Sequence, residues 1–265
     1  MKIIIIGSGS RGNCTYIETA TTKIIIDAGI SLLQVKTKLK EHHIDLKEVD
    51  ALFVTHEHSD HVAYLGKLLV HTKAHLYVDK LSFNVIDERN KNFLSTLPHT
   101  FIEKDTRYDV GDLSIVPIEL SHDTVNCVGY LVKQLNVETN ESFAVVTDTG
   151  YLNSKYFKVL SNIKIILFES NHDIEMLRNS NRSWFLIERI LSIRGHLSND
   201  ECSQYLKKFI SNNNKCIILG HLSEECNTEE LAYNKVIETF GNELPFKLYI
   251  AKQREALEIN TEDYD

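Results

Sequence analysis

Four side chains able to bind a metal ion fall within six residues of Thr55-His56-Glu57-His58-Ser59-Asp60-His61, namely His56, His58, Asp60 and His61. Imidazole and carboxylate donors together suit zinc, manganese or iron better than calcium or magnesium. A strand-like exit points His56 and His58 to the same side, because side chains alternate with period two. Asp60 and His61 leave on the following turn, free to serve a second ion. A His-rich solvated loop is the plain alternative. The density of H-x-H-x-D-H, and the further candidates downstream, weigh against it.

Elements on both sides must hold that stretch in place. Ala51-Leu52-Phe53-Val54-Thr55 is a β-branched and aromatic run that reads as a buried strand. Val62, Leu65, Leu68 and Leu69 then recur at helical spacing. Other apolar runs end in the same way: 23–26 in Asp27, 113–120 in His122, 143–147 in Asp148, 163–168 in Glu169 and 216–220 in His221. Taken singly, an Asp or His after a strand is usually a turn or surface residue. Residues 75–78 read as a strand and 80–93 as a helix, and Ser31 can cap a helix over 32–43. Strands over 99–120 turn at Gly111-Asp112, and 128–132 is a further strand. The 178–195 region, rich in Arg, Asn and Ser and holding the sole Trp184, reads as a helix rather than a flap. Ser198 and Glu201 form a capping box beside His196, and Asn227 with Glu230 resembles a second one before a helix to about residue 240. A strand over 246–251 closes the chain. The glycine-rich Gly7-Ser8-Gly9-Ser10-Arg11-Gly12-Asn13 loop reads as a hairpin turn or as a backbone cradle for an anion.

H-x-H-x-D-H after a strand resembles the signature of the metallo-β-lactamase-fold hydrolases, and the order Asp27, His122, Asp148, His221 matches the rest of that superfamily's pattern. The resemblance covers nearly the whole chain. It implies an α/β fold, a four-layer αβ/βα sandwich of two mixed sheets with outer helices, over residues 1–265 as one domain. It also implies two divalent transition-metal ions, zinc or manganese, with iron or nickel as further candidates. His56, His58, His122 and Asp148 would hold one ion and Asp60, His61, Asp148 and His221 the other, with Asp148 bridging and Asp27 supporting the histidine loop from behind. Two ions about 3.5–4 Å apart share a hydroxide of lowered pKa and clamp the oxygens of a scissile ester. Asp60 thereby counts with the catalytic residues. Retention of His58 sets the chain apart from flavodiiron-type proteins, which carry Glu there.

Glu169 and His196 resemble the pair that protonates the leaving oxygen in the tRNase Z branch. Closer still, Gly7-Ser8-Gly9-Ser10-x-Gly12-Asn13, Thr147-Asp148-Thr149-Gly150-Tyr151, Glu169-Ser170-Asn171-His172-Asp173, Gly195-His196-Leu197-Ser198-Asn199 and Gly220-His221-Leu222-Ser223-x-x-x-Asn227 together look like the YycJ/WalJ family. That resemblance implies 5′→3′ exonuclease action on double-stranded DNA, with Ser8, Ser10, Asn13, Ser198, Ser223 and Asn227 as substrate contacts. Two positions depart from the family. Asn-Ser-Asn-Arg-Ser-Trp stands where an aromatic-Pro stretch is usual, and Cys226 stands where Asn is common. Only 72 residues separate Asp148 from His221, too few for the β-CASP insertion with which RNase J and Artemis-like nucleases clamp their strand.

Composition narrows the classes. An apolar content of 43% is ample for a core in 265 residues, and no run is long and apolar enough to span a membrane. Five cysteines without C-x-x-C spacing, three of them in strand-like runs (Cys14, Cys127, Cys216), fit a reducing cytoplasm, and no signal peptide is legible. A formal charge of −8 gives no support to a generally basic nucleic-acid-binding surface, and it leaves nucleic acid open as a substrate because bound cations make a cleft locally positive. The alternatives are a small-molecule hydrolase, such as a cyclic or simple phosphodiesterase or a glyoxalase II-like thioesterase, and a metal-stabilised scaffold. A thiolate leaves without an acid, so the Glu169/His196 pair favours phosphodiesters. A scaffold predicts a degraded ligand position, and every position here is filled.

Overall fold

Alternation along the isoleucine-rich strands divides the core into layers. The computed structural model describes residues 1–241 and 243–264. The first half holds β1 (Lys2–Gly7), β2 (Cys14–Glu18), β3 (Lys23–Ile26), β4 (Ala51–Phe53), β5 (His75–Asp79) and β6 (His99–Ile102). Between them run α1 (Leu32–Glu41), α2 (Ser59–Val62), α3 (Leu65–Thr72) and α4 (Lys80–Arg89). The second half holds β7 (Tyr108–Val110), β8 (Leu113–Leu120), β9 (Cys127–Gln134), β10 (Ser142–Val146), β11 (Ile165–Glu169), β12 (Cys216–Gly220) and β13 (Lys247–Ile250). Its helices are α5 (Phe157–Leu160), α6 (Ile174–Arg178), α7 (Trp184–Ile190), α8 (Asn199–Phe209) and α9 (Glu229–Phe240). A last strand, β14 (Leu257–Asn260), returns to the first sheet and pairs antiparallel with β1.

Two seven-stranded mixed sheets result, ordered β14-β1-β2-β3-β4-β5-β6 and β13-β12-β11-β10-β9-β8-β7. Ile3, Ile5, Ile17, Ile24, Ile26 and Phe53 meet Tyr130, Phe143, Val145, Leu167 and Ile218 between the sheets. The intervening residues Ile4, Ile6, Tyr16, Ile25 and Leu52 face the helical side, against Val35, Leu39, Leu65 and Leu69. On the other sheet Ala144, Ile166, Ile217 and Leu219 pack against Leu206, Phe209 and Val236. Period-two alternation with both faces apolar is what a strand covered on both sides requires. Each such Ile or Leu contributes about 1.5–3 kcal/mol on burial.

Several local expectations need correction. The helix expected over 80–93 ends at Arg89, where Asn90 closes it. Beyond Arg178, where α6 ends, the 178–195 region is helical only over Trp184–Ile190, capped by Ser183. Asn227 and Glu230 form no capping box. Thr228 caps α9 through the Leu231 N–H, because the Asn227 amide is already held by Ser170 O and Asn199. β14 lay beyond the strand expected to close the chain. The Ser198–Glu201 capping box is present.

Candidate metal centre

The relevant side chains gather because their strands run the same way. β3 and β4 are parallel, as are β10, β11 and β12, so their carboxyl ends open on one edge of the sandwich. Asp27 and His221 directly follow the last residue of a strand and Asp148 comes one residue later, all three in left-handed conformation, with φ of 64°, 55° and 62°. Such backbone is uncommon for residues other than glycine and concentrates at functional sites. Each turn carries the chain sharply away while leaving the side chain in the crevice. Gly29 is needed beside them: a Cβ there would stand 1.6 Å from Asp60 O.

His56, His58 and His122 form one cluster and Asp60, His61, Asp148 and His221 a second, each with donor atoms within 4.8 Å of one another. Asp148 lies between them. Its Oδ1 is 3.3 Å from His221 Nε2 and 3.8 Å from His122 Nε2, and its Oδ2 is 3.2 Å from His61 Nε2. His56 Nε2, His221 Nε2 and Asp148 Oδ2 are buried without a hydrogen-bond partner. Orphaned buried polar atoms are costly, and cations held in the two clusters would satisfy all three. The donor set therefore fits divalent transition metals.

The remaining ring nitrogens are held from outside. His61 Nδ1 lies 2.7 Å from Asp27 Oδ2, and Asp27 Oδ1 also accepts from the Thr55 N–H at 2.9 Å. His122 Nδ1 lies 3.0 Å from Gly195 O, and His221 Nδ1 lies 3.2 Å from Glu169 Oε1. With Nδ1 protonated towards these acceptors, Nε2 presents a lone pair inward. Burial pushes the His56 and His122 imidazoles down, towards neutral ligands. Burial also pushes His221 down, but Asp148, Asp60 and Glu169 outweigh it and bring that ring to about 10. His61 is raised in the same sense by Asp148 and Asp27 against burial. For Asp148 burial acts upwards, and His221 with His61 more than offset it. Without an ion, protons on His61 and His221 balance the carboxylates of the second cluster, the place a cation would take, while the first cluster offers neutral nitrogen.

Asp148, Glu169, His196 and His221 make a third grouping. Within it, His196 Nδ1 lies 2.7 Å from Glu169 Oε1, which commits both groups to each other rather than to an ion. Glu169 is fully buried, and its Oε2 accepts from the Thr149 N–H at 2.8 Å. Burial pushes its carboxyl up, but His196 and His221 prevail and hold it at about 2. His196 is part-exposed, with its ring against those of His122 and His221.

The sequence resemblance now has independent support. A family model described as a beta-lactamase superfamily domain matches residues 22–218. The exodeoxyribonuclease WalJ of Streptococcus pneumoniae serotype 2 is 34% identical over 257 residues, spanning 94% of this chain and 93% of that protein. The chain belongs to the metallo-β-lactamase superfamily and, within it, to the WalJ/YycJ family. The exodeoxyribonuclease YycJ of Bacillus anthracis is 32% identical over 228 residues, 86% of this chain and 84% of its own. The metallo-β-lactamase fold protein YhfI of Bacillus subtilis superposes with a TM-score of 0.70 at 17% identity, covering 97% and 98% of the two chains, which speaks for the fold. As a member of this superfamily the protein is a metal-dependent hydrolase.

The substrate contacts that family likeness suggested occupy three kinds of place. Ser10 and Ser223 line a cleft of about 130 Å³ beside His196, with Asn171, Arg182 and Arg189. Asn13 sits against the second cluster, its Nδ2 2.9 Å from His61 Nε2 and 3.4 Å from Asp60 Oδ2, while its Oδ1 accepts from the Gly9 N–H. The Ser8, Ser198 and Asn227 side chains are buried and engaged within the fold: Ser8 Oγ accepts from the His221 N–H, Ser198 caps α8, and Asn227 ties Ser170 to Asn199. A larger hollow of about 500 Å³ between α1 and Gln253–Arg254 holds none of the ligand candidates, so donor chemistry rather than volume marks the centre in this WalJ/YycJ-family chain. Sequence reasoning missed Arg194, whose guanidinium donates to His122 O and Thr124 O, and Glu57, which accepts from the Val125 N–H and Ser82 Oγ. Glu57 lies inside the histidine motif, and its non-ligand position in H-x-H-x-D-H was the available signal. Nothing local marked Arg194.

Among the described residues no helix is long and apolar enough to cross a membrane.

Proposed function

We propose that this chain is a dinuclear-metal phosphodiesterase, a nuclease that degrades double-stranded DNA exonucleolytically from the 5′ end. The observation that carries this reading is the Glu169–His196 pair, 2.7 Å apart and beside both metal clusters. The curated relatives WalJ and YycJ are named exodeoxyribonucleases, which supports DNA as the polymer. His56, His58 and His122 would hold one ion, zinc or manganese, Asp60, His61 and His221 the other, and Asp148 both. Bound there, the ions would supply Lewis acidity and a nucleophile at neutral pH. Asp27, Gly195 O and Glu169 orient the ligand rings, and Asp60 completes the charged side of the crevice.

His196 donates a proton from Nε2 to the departing sugar oxygen while Glu169 holds Nδ1 and supports the positive ring. A sugar alkoxide is a poor leaving group, so such a proton is worth about 10²–10⁴-fold. Ser10, Ser223 and the backbone of the Gly7–Asn13 loop lie where a phosphate would enter. One domain without an inserted clamp performs this. All five cysteines are buried free thiols, which supports a cytoplasmic location.

Metal-reconstituted protein should be assayed in parallel on end-labelled duplex DNA, single-stranded DNA, RNA and bis-p-nitrophenyl phosphate. Stepwise loss of 5′-terminal label from duplex DNA is the expected result. Turnover of the nitrophenyl ester with every polymer intact would move the reading to small phosphodiesters.

A further inference from the structure

Half of the chain's eight arginines fall in one stretch: Arg178, Arg182, Arg189 and Arg194, with Glu188 the single carboxylate between the first and the last. In a chain of formal charge −8 this is a local reversal of sign. The stretch is built around α7, whose Leu186 and Ile190 line the same cleft as His196, along with Arg182 and Arg189. Trp184 and Phe185, at the start of α7, are turned away from the interior and are 74% and 75% exposed. Phe185 and Arg189 are four residues apart on the helix and share a face, which puts Phe185 on the side of α7 that carries a cleft-lining residue. The α7 interior needs neither ring, since Leu177, Ile190 and Cys226, with Leu186, Ile187 and Leu191, already fill it. Two adjacent aromatic rings in water, bracketed by guanidinium groups, suit a ligand with flat π-faces and a polyanionic backbone.

We propose that α7 is a nucleobase platform, on which Phe185 and Trp184 stack the terminal bases of a DNA strand frayed from its duplex end. The backbone of that strand passes Arg182 and Arg189 into the cleft towards His196. Both guanidinium groups have carboxylate partners, Glu225 and Asp123, which phosphates would displace or share. The inference rests on the nuclease reading and adds the residues that open and seat the end. Stacking tolerates any base, which matches an enzyme that must accept each new terminus in turn.

Trp184 is the sole tryptophan, so indole emission, excited beyond the tyrosine band, reports on this face alone. The test titrates metal-loaded protein with a labelled duplex carrying phosphorothioate linkages at its ends. Trp184 emission should fall with the same midpoint as the rise in label anisotropy. Phe185→Ala should weaken duplex binding by about 5- to 150-fold, the range for loss of one base stack, while leaving bis-p-nitrophenyl phosphate turnover and metal content unchanged. Leu33→Ala, equally exposed on α1, serves as the control that should do nothing. Wild-type protein that neither binds nor cleaves DNA would overturn the nuclease reading together with this one. Binding with unchanged Trp184 emission and unaltered affinity of Phe185→Ala would overturn the platform alone. Loss of a concentration-dependent dimer in Phe185→Ala, with DNA affinity intact, would assign the face to a second copy and overturn it likewise.

Discussion

Replacing Glu169 by Gln tests the proton path with the least change of shape. Four donors converge on its two oxygens: His196 Nδ1 at 2.7 Å and His221 Nδ1 at 3.2 Å on Oε1, and the N–H groups of Thr149 at 2.8 Å and Leu197 at 3.4 Å on Oε2. An amide has one oxygen, so its NH2 must face one of these pairs. Facing the backbone, it leaves two buried N–H groups unpaired. Facing the rings, it forces His196 to accept at Nδ1 and removes one proton of the acid. A hydrogen bond to a charged group contributes about 1.5–3 kcal/mol, and an orphaned buried donor costs about 1–3 kcal/mol. The rate on duplex DNA should therefore fall by about 10²–10³-fold, within the range for general acid catalysis. Bis-p-nitrophenyl phosphate, whose leaving group is stable as an anion, should lose less than about 10-fold. Glu169 also orients His221, so metal affinity should drop by about 10–100-fold, and both rates are to be read at saturating metal. Equal losses on the two substrates under those conditions, or none on DNA, would refute the assignment of His196 as acid.

Three further outcomes are expected. Asp148→Ala should remove both ions and all activity, whereas His221→Ala should retain one. Elemental analysis decides, and equal metal content in the two variants would remove the bridging role. Ser198→Ala should cost about 1 kcal/mol of stability through loss of the α8 cap and leave KM for DNA unchanged; a raised KM would instead restore Ser198 as a substrate contact. His172 is buried with both ring nitrogens unpartnered, and burial lowers its pKa from 6.5 to about 4. The unfolded chain therefore binds a proton that the folded one refuses. Its share of stability is complete above 6.5 and is lost as pH falls towards 4, by at most about 3 kcal/mol. Urea melts of chelator-treated wild type and His172→Gln should diverge across that window, and parallel pH profiles would contradict it.

The sequence by itself determined the strands, their two-faced burial and the side chain that each delivers at its end. These properties depend on neighbours a few positions apart: period-two alternation sets which Ile faces which layer, and a capping box needs only Ser198 and Glu201. The metal-ligand candidates were legible for the same reason, because the motif His56–His61 is local and the others mark strand ends. Tertiary structure decided whatever depends on two distant segments meeting. Glu169 and His196, paired in the sequence only through family resemblance, meet because parallel β11 places its carboxyl end beside the loop before α8. Asn13 was drawn to His61 by the approach of its loop to the start of α2. Asn227 left its expected cap because Ser170 and Asn199 offered a buried carbonyl and amide that needed partners. β14 escaped notice because its stability comes from register with β1 at the opposite end of the chain, not from any pattern of its own. Residue spacing encodes local geometry, whereas sheet order and close packing choose partners, and no short-range signal carries that choice.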